Sequence, residues 1–186
     1  ADSIADFPAA GADAAPKQGI NNWQYGYHSV TANGTYDATP GGTDDFIAFP
    51  DNSGPGTSPT DFWNNSNWDW HNGNPPWTQI TSDGGHPNTG AGDAQWAIRR
   101  WIAESGGDFE IEAFLAAANT SGGDGTILHV FHNGSEVGAL TVGGTDGIGL
   151  MDVFSLQNIA AGDFIDFALD YNGTDGSDGS FFSAQI

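Results

Sequence analysis

Residues 164–170, FIDFALD, alternate strictly along the chain. Ile165, Phe167 and Leu169 fall on one side of an extended backbone, with Phe164, Asp166, Ala168 and Asp170 on the other. A period of two marks a half-buried strand of an antiparallel sheet. The same period recurs nearby. FEIEAFLAAA (109–118) puts Phe109, Ile111, Ala113 and Leu115 on one face and Glu110 and Glu112 on the other. QWAIRRWIAE (95–104), LMDVFSL (150–156) and FFSAQI (181–186) read as further strands. TILHVFH (126–132) meets SEVGALTV (135–142) across Asn133-Gly134, the dipeptide of a two-residue hairpin. Either face of TILHVFH can be the buried one. Trp23, Tyr25 and Tyr27 alternate in one more strand. Little helix is expected anywhere.

Short strands separated by Gly-rich turns predict an all-β fold, an antiparallel β-sandwich or jelly roll with long loops. Residues 1–22 read as an N-terminal arm and linker, and 23–186 as the sandwich domain. Within the arm, Ser3–Phe7 can form a short strand, and PAAGADAAPKQG (8–19) is linker-like. Residues 23–93 are loop-rich, and after His28 Gly, Pro, Asn and Asp dominate, with brief apolar pieces such as Phe46–Phe49. No internal repeat is evident.

Charge narrows the partners. The 186 residues carry 24 Asp and Glu against three basic residues, Lys17, Arg99 and Arg100, for a net charge of −21. A nucleic-acid surface needs clustered cations and is excluded. Anionic membranes are disfavoured, and no apolar run reaches spanning length. The chain has no cysteine, hence no disulfide or thiol chemistry. It begins at Ala1 rather than Met, which reads as a mature end after signal-peptide removal. Secretion to the cell surface is the expectation.

Several constellations bear on chemistry. Asn-x-Ser/Thr occurs at Asn33, Asn64, Asn119, Asn133 and Asn172, all in predicted turns where a glycan must sit. Turn residues alone produce the same pattern. Trp63, Trp68, Trp70 and Trp77 fall within one loop-rich stretch. They can form a platform on which pyranose rings stack, or a lid that buries its own aromatics. DYNGTDGSDGS (170–180) offers Asp170, Asp175 and Asp178 to a Ca²⁺ ion, which wants six to eight oxygens. Asp124 is a further acidic turn residue. None of these stretches matches an EF-hand, and solvated turn carboxylates explain them as well. Neighbouring Arg99 and Arg100 must point to opposite faces of a strand. The inward one is expected to pair with an Asp, and the other to face solvent.

Enzyme signals are thin. Glu110 and Glu112 share a face as paired glycosidase carboxylates do, but so do two solvent-facing glutamates. His129 and His132 point to opposite faces and cannot share a metal. No nucleophile-elbow, zinc-protease or P-loop motif is present.

Several stretches together resemble a known module: DSIADF (2–7), QGINNWQYGYH (18–28), GGHPN (84–88), QWAIRRW (95–101), GDGTILHVFHNGSEV (123–137) and IAAGDFIDFALDYNGTDGSDGSFFSAQI (159–186). They are similar to a carbohydrate-binding-module-like β-sandwich of secreted, surface-sorted bacterial proteins, including PEP-CTERM-sorted ones. The resemblance implies a non-catalytic extracellular role. Here an unusually long connection separates the DSIADF-like strand from the NNW segment. Such an arm can add a strand, anchored by Ile4 and Phe7, to a neighbouring subunit's sheet edge. The resulting expectation is a self-assembling subunit of a glycoprotein fibril or surface layer, homo-oligomeric through its arm. It requires no cofactor, with Ca²⁺ as an optional structural ion. The alternative is a carbohydrate-binding module that uses the tryptophan loops on a polysaccharide.

Overall fold

A computed structural model of the protein describes residues 1–9, 17–51, 62–69, 75–90 and 92–186. The strands are β1 (Trp23–Ser29), β2 (Ile47–Ala48), β3 (Trp68–Asp69), β4 (Gln79–Ile80), β5 (Gly84–His86), β6 (Gln95–Ile102), β7 (Gly107–Ala117), β8 (Thr126–His132), β9 (Ser135–Val142), β10 (Leu150–Ile159), β11 (Phe164–Asp170) and β12 (Ser180–Gln185). They form two six-stranded antiparallel sheets. Sheet I has the order β2-β1-β6-β11-β8-β9, and sheet II the order β10-β7-β12-β5-β4-β3. The fold is the expected β-sandwich. The long alternating segments became the long strands. The short strands β2 to β5 lie in the stretch whose composition reads as loop, because two or three residues cannot display a period.

The inner faces supply the core. Sheet I contributes Trp23, Tyr25, Leu128, Val130, Ile165, Phe167 and Leu169, and sheet II contributes Ile111, Leu115 and Phe182. Burial of each such side chain contributes roughly 1.5–3 kcal/mol. The Asn133-Gly134 hairpin forms with both residues at positive φ, 48° and 76°, as a primed two-residue turn requires. A side chain at Gly134 would run into the backbone of Ala38, with a Cβ only 2.4 Å from that carbonyl oxygen.

Strand β11 departs from expectation. Phe164 to Ala168 are buried on both faces, so the strand is not half-exposed. The cause is a non-local cover. Between β1 and β2 the chain crosses the outer face of sheet I and packs Tyr36, Ala38 and Phe46 against Ile98, Phe131, Phe164 and Ala168. Arg100 lies under this cover rather than in solvent. Its guanidinium bonds Asp166 through Nε at 2.7 Å and Asp44 through Nη1 at 2.6 Å. The rings of Phe46 and Phe164 flank it at 4.3 and 3.9 Å. Tyr36 donates its hydroxyl to Asp166 at 2.7 Å. Burial lowers the Arg100 pKa, but hydrogen bonds to Asp166 and then Asp44 outweigh it and hold the cation well above its usual value. Burial pushes Asp166 upward against the pull of Arg100. The short, two-point contact favours the ionised pair.

Arg99 points inward but does not take an aspartate partner. It donates to the carbonyl oxygens of Thr81 at 2.8 Å, Gly84 at 3.2 Å and Ser3 at 2.9 Å, and more weakly to Ser82. Phe182 lies 4.5 Å from its guanidinium. Burial lowers its pKa to about 10, so it remains a cation at neutral pH.

The N-terminal segment lies on its own sandwich. On its β12 side, β5 reaches only Ser180 and Phe181. The rest of that edge is taken by Asp2 against Gln185, with Ser3 N–H donating to the Ala184 carbonyl at 2.9 Å. Phe7 enters the core of the same chain, against Tyr25 and Trp63. Ile4 is exposed. Of the two expected arm anchors, Phe7 is therefore packed within its own chain, while Ile4 is left open. Within the linker-like stretch, residues 10–16 lie outside the described residues, while Lys17 is buried and paired with Asp51 at 3.0 Å.

Candidate functional site

Among the described residues, the outer face of sheet II has no cover like that over sheet I. Register fixes what it displays. Asp69 stands opposite Gln79, and Gln79 opposite His86. Across β12, β7 and β10 the face continues with Phe181, Ser183 and Gln185, then Phe114 and Glu112, then Met151 and Val153. Trp77, two residues before Gln79, joins the row.

Asp69, Trp77, Gln79 and His86 line a cleft of ≈ 170 Å³. Gln79 and His86 also line an adjoining cleft of ≈ 260 Å³ with Thr81, Asp83, Gly85 and Phe181. The two form one groove with an exposed aromatic at each end, Trp77 at 45% and Phe181 at 42%. Between them lie a carboxamide, an imidazole and two carboxylates. His86 donates through Nδ1 to the Pro87 carbonyl.

The groove is braced from beneath. The buried Asn88 side chain accepts the Trp77 backbone N–H at 2.8 Å and donates to the Gly90 carbonyl at 2.9 Å. Thr78 Oγ1 donates to Gln95 at 2.6 Å. Arg99 holds the β4–β5 connection from the core side through the carbonyls of Thr81, Ser82 and Gly84. A larger hollow of ≈ 620 Å³ on the same sheet is walled by Asp2, Asp6, Glu110 and Glu112 and contains no aromatic ring. Glu110 and Glu112 are there as solvent-side residues of β7, as their alternation implied.

The tryptophan platform expected from sequence divides. Trp63 and Trp68 are fully buried in the core, edge-to-face at 5.3 Å, and cannot stack on a ligand. Phe7, Phe49 and Tyr25 surround them. Trp70 lies outside the described residues. Trp77 alone of the described residues in that set is open. Gln79, His86, Phe181 and Asn88 escaped the sequence reading. His86 and Asn88 lie within the GGHPN stretch, and that was the available signal.

The acidic turn does not gather Asp170, Asp175 and Asp178 around one point. Asp170 reaches His129 at 3.5 Å, Asp175 accepts from Thr89 Oγ1 at 2.8 Å, and Asp178 accepts from the Gly125 N–H at 3.3 Å. Burial raises Asp178 to about 6, the Gly125 N–H opposes this, and the charges of Asp124 and Asp175 add to the rise. No grouping of three or more His, Asp or Glu side chains suited to a metal occurs among the described residues. Of the sequons, Asn33, Asn119 and Asn172 are exposed. Asn64 and Asn133 are half-buried, and Asn133 accepts the Phe164 N–H at 3.0 Å.

All three basic side chains of the chain are buried: Lys17 and Arg99 at 0% and Arg100 at 3% exposure. No lysine or arginine remains on the surface to meet an anionic ligand. Among the described residues, no helix is long and apolar enough to cross a membrane.

No family model matches the sequence, and no curated protein matches it. Among solved structures, a family 35 carbohydrate-binding module from Clostridium thermocellum is similar at 16% identity and TM-score 0.31, over 48% of this chain and 68% of that one. A CBM51 from Clostridium perfringens in complex with methyl-galactose has 10% identity and TM-score 0.33, over 86% and 99%. A β-glucosidase from Kluyveromyces marxianus has 12% identity and TM-score 0.34, over 96% of this chain and 19% of that one. At these scores the likenesses decide nothing about the site, and none bears on surface sorting.

Proposed function

We propose that this chain is a non-catalytic, extracellular carbohydrate-binding module that holds a neutral glycan in the groove from Trp77 to Phe181. The carrying observation is the exposed indole of Trp77 beside Asp69, Gln79 and His86 on a sheet face that no described residue covers. An indole offers an apolar face to the C–H side of a pyranose. Carboxylate, carboxamide and imidazole acceptors and donors at its edge suit ring hydroxyls. Uronates and sulfated glycans are disfavoured because no cation is exposed to pair with them. Calorimetric titration against neutral plant, fungal and bacterial polysaccharides, with polygalacturonate and heparin as anionic comparators, tests this. Binding to a neutral glycan is expected, weakened about 10–50-fold in Trp77→Ala. Absence of binding across the neutral panel would overturn the proposal.

The self-assembling subunit reading has one observation in its favour. β10 is a ten-residue edge strand. Leu150, Met151 and Val153 on it, with the preceding Ile148, are exposed, and an apolar open edge invites pairing. If it holds, sedimentation shows oligomers that Val153→Lys dissociates. A monomer at high concentration removes it.

A further inference from the structure

The fold treats the five Asn-x-Ser/Thr asparagines differently. In four of them the carboxamide nitrogen is engaged within the protein. Asn33 Nδ2 donates to Asp45 at 2.9 Å. Asn64 Nδ2 reaches Asp69 at 3.5 Å, and Asn172 Nδ2 reaches the Asp124 carbonyl at 3.4 Å. Asn133 Nδ2 contacts His132 Nε2 at 3.2 Å, while its Oδ1 holds the Phe164 N–H. Asn64 and Asn133 are half-buried as well. At Asn172 the hydroxyl two residues on, Thr174 Oγ1, is also tied down, to Asp124 at 3.1 Å.

Asn119 is the exception. It lies in the turn after β7, and Ala118, Asn119, Thr120 and Ser121 are all exposed. Its Oδ1 accepts the Ser121 backbone N–H at 3.1 Å and also the Ser121 hydroxyl. Its own backbone N–H donates to the Gly179 carbonyl at 3.4 Å. The side chain is therefore anchored through its oxygen, and Nδ2 makes no hydrogen bond to any described residue. A glycan is bulky and has to project from the surface. The enzyme that attaches it must engage both the asparagine and the hydroxyl two residues on. At Asn119 both groups stand on one exposed turn and are bonded to each other. A substituent on this nitrogen disturbs no contact inside the protein, whereas at each of the other four it meets one.

We propose that Asn119 is an N-glycosylation acceptor of the folded chain, selected by the fold from the five sequons. The donor is a sugar activated as its glycosyl diphosphate. Asn119 Nδ2 bonds to the anomeric carbon, and the bond from that carbon to the diphosphate oxygen breaks. The diphosphate leaves with the electron pair, and Nδ2 gives up one proton to a base. Nothing is oxidised or reduced. Ala118 lines the Phe181 end of the groove, so the attached glycan stands at the groove's rim. The assignment holds whatever the groove binds.

The test treats the folded full chain with an oligosaccharyltransferase that accepts Asn-x-Ser/Thr, together with its lipid-diphosphate sugar donor. Glycopeptide mass spectrometry then reads each sequon. Glycan is expected at Asn119 above every other site. It should be lost in Asn119→Gln and in Ser121→Ala, kept in Ser121→Thr, and unchanged in Asn133→Gln. Asn119 and Ser121 are exposed, so substitutions there leave the core intact. Synthetic peptides spanning the five sequons should lose the preference, which assigns the selection to the fold. Glycan placed mainly at Asn33, Asn64, Asn133 or Asn172 of the folded chain, or none on it, would overturn the proposal. So would the same ranking among the peptides, which places the selection in local sequence.

Discussion

The outer faces of the two sheets begin from the same strand pattern and end differently. On sheet I the polar-side positions of β6 and β11 are roofed by residues 36–46. Arg100 and Asp166 become a buried ion pair between two phenylalanine rings. On sheet II no such roof occurs among the described residues, and the apolar side chains there, Trp77, Phe181 and Met151, are exposed. The contrast teaches where to look for function. A polar residue under a roof explains itself through the contacts it satisfies. An aromatic row on an uncovered face does not, and a ligand is the economical account of it.

Four variants test this contrast. Asp166→Ala has the largest expected effect. It leaves Arg100 buried with only Asp44 and Tyr36, at a cost of about 3–5 kcal/mol, and should lower the melting temperature by roughly 10 °C or more. Met151→Ala, on the open face, should stay within about 0.5 kcal/mol. Equal costs at the two sites would erase the distinction between roofed and open faces.

Asn88→Ala comes next. It removes the acceptor of the Trp77 N–H and a buried carboxamide, and should destabilise by about 1–3 kcal/mol. Glycan affinity should fall as well, because Trp77 loses its brace. If affinity is unchanged while stability drops, the groove does not depend on this support.

The smallest effect concerns His129, on the roofed side, stacked on Trp96 at 5.0 Å and facing Glu136, Asp170 and Phe131. Burial lowers its pKa, but bonds to Asp170 and Glu136 outweigh this and raise it above 6.5. Its stabilising contribution is therefore complete below pH 6.5 and is lost as pH rises through the raised value. His28 is shifted down by burial and acts in the opposite sense. The readout is accordingly the melting-temperature difference between the protein and His129→Gln. It should shrink from pH 6 toward pH 8, by the equivalent of about 1 kcal/mol or less. A difference that grows over this interval would contradict the assigned shift.

How much was legible follows from locality. The alternation of Ile165, Phe167 and Leu169 and the Asn133-Gly134 turn are local signals, and both held. So did the opposite facing of Arg99 and Arg100. What each arginine meets was not legible. The roof over Arg100 comes from over fifty residues upstream, and Arg99 binds carbonyls, which leave no trace in a sequence. Platform and lid remained open for Trp63 and Trp68 because nothing local shows that Phe7 and Tyr25 enclose them. Gln79 and His86 sit on strands of two and three residues, too short for any period. Register alone makes them neighbours.

The central claim is that the open face of sheet II, and not the roofed face or the loop ends, takes the glycan. The most direct measurement is amide and side-chain chemical-shift mapping of the labelled protein, titrated with a bound neutral oligosaccharide. The account predicts saturable shifts at the Trp77 indole N–H, the Gln79 carboxamide, His86 and Phe181, with Tyr36, Phe46 and Arg100 silent. Shifts centred on residues 36–46, or on the Asp124 and Asp178 turns alone, would contradict it.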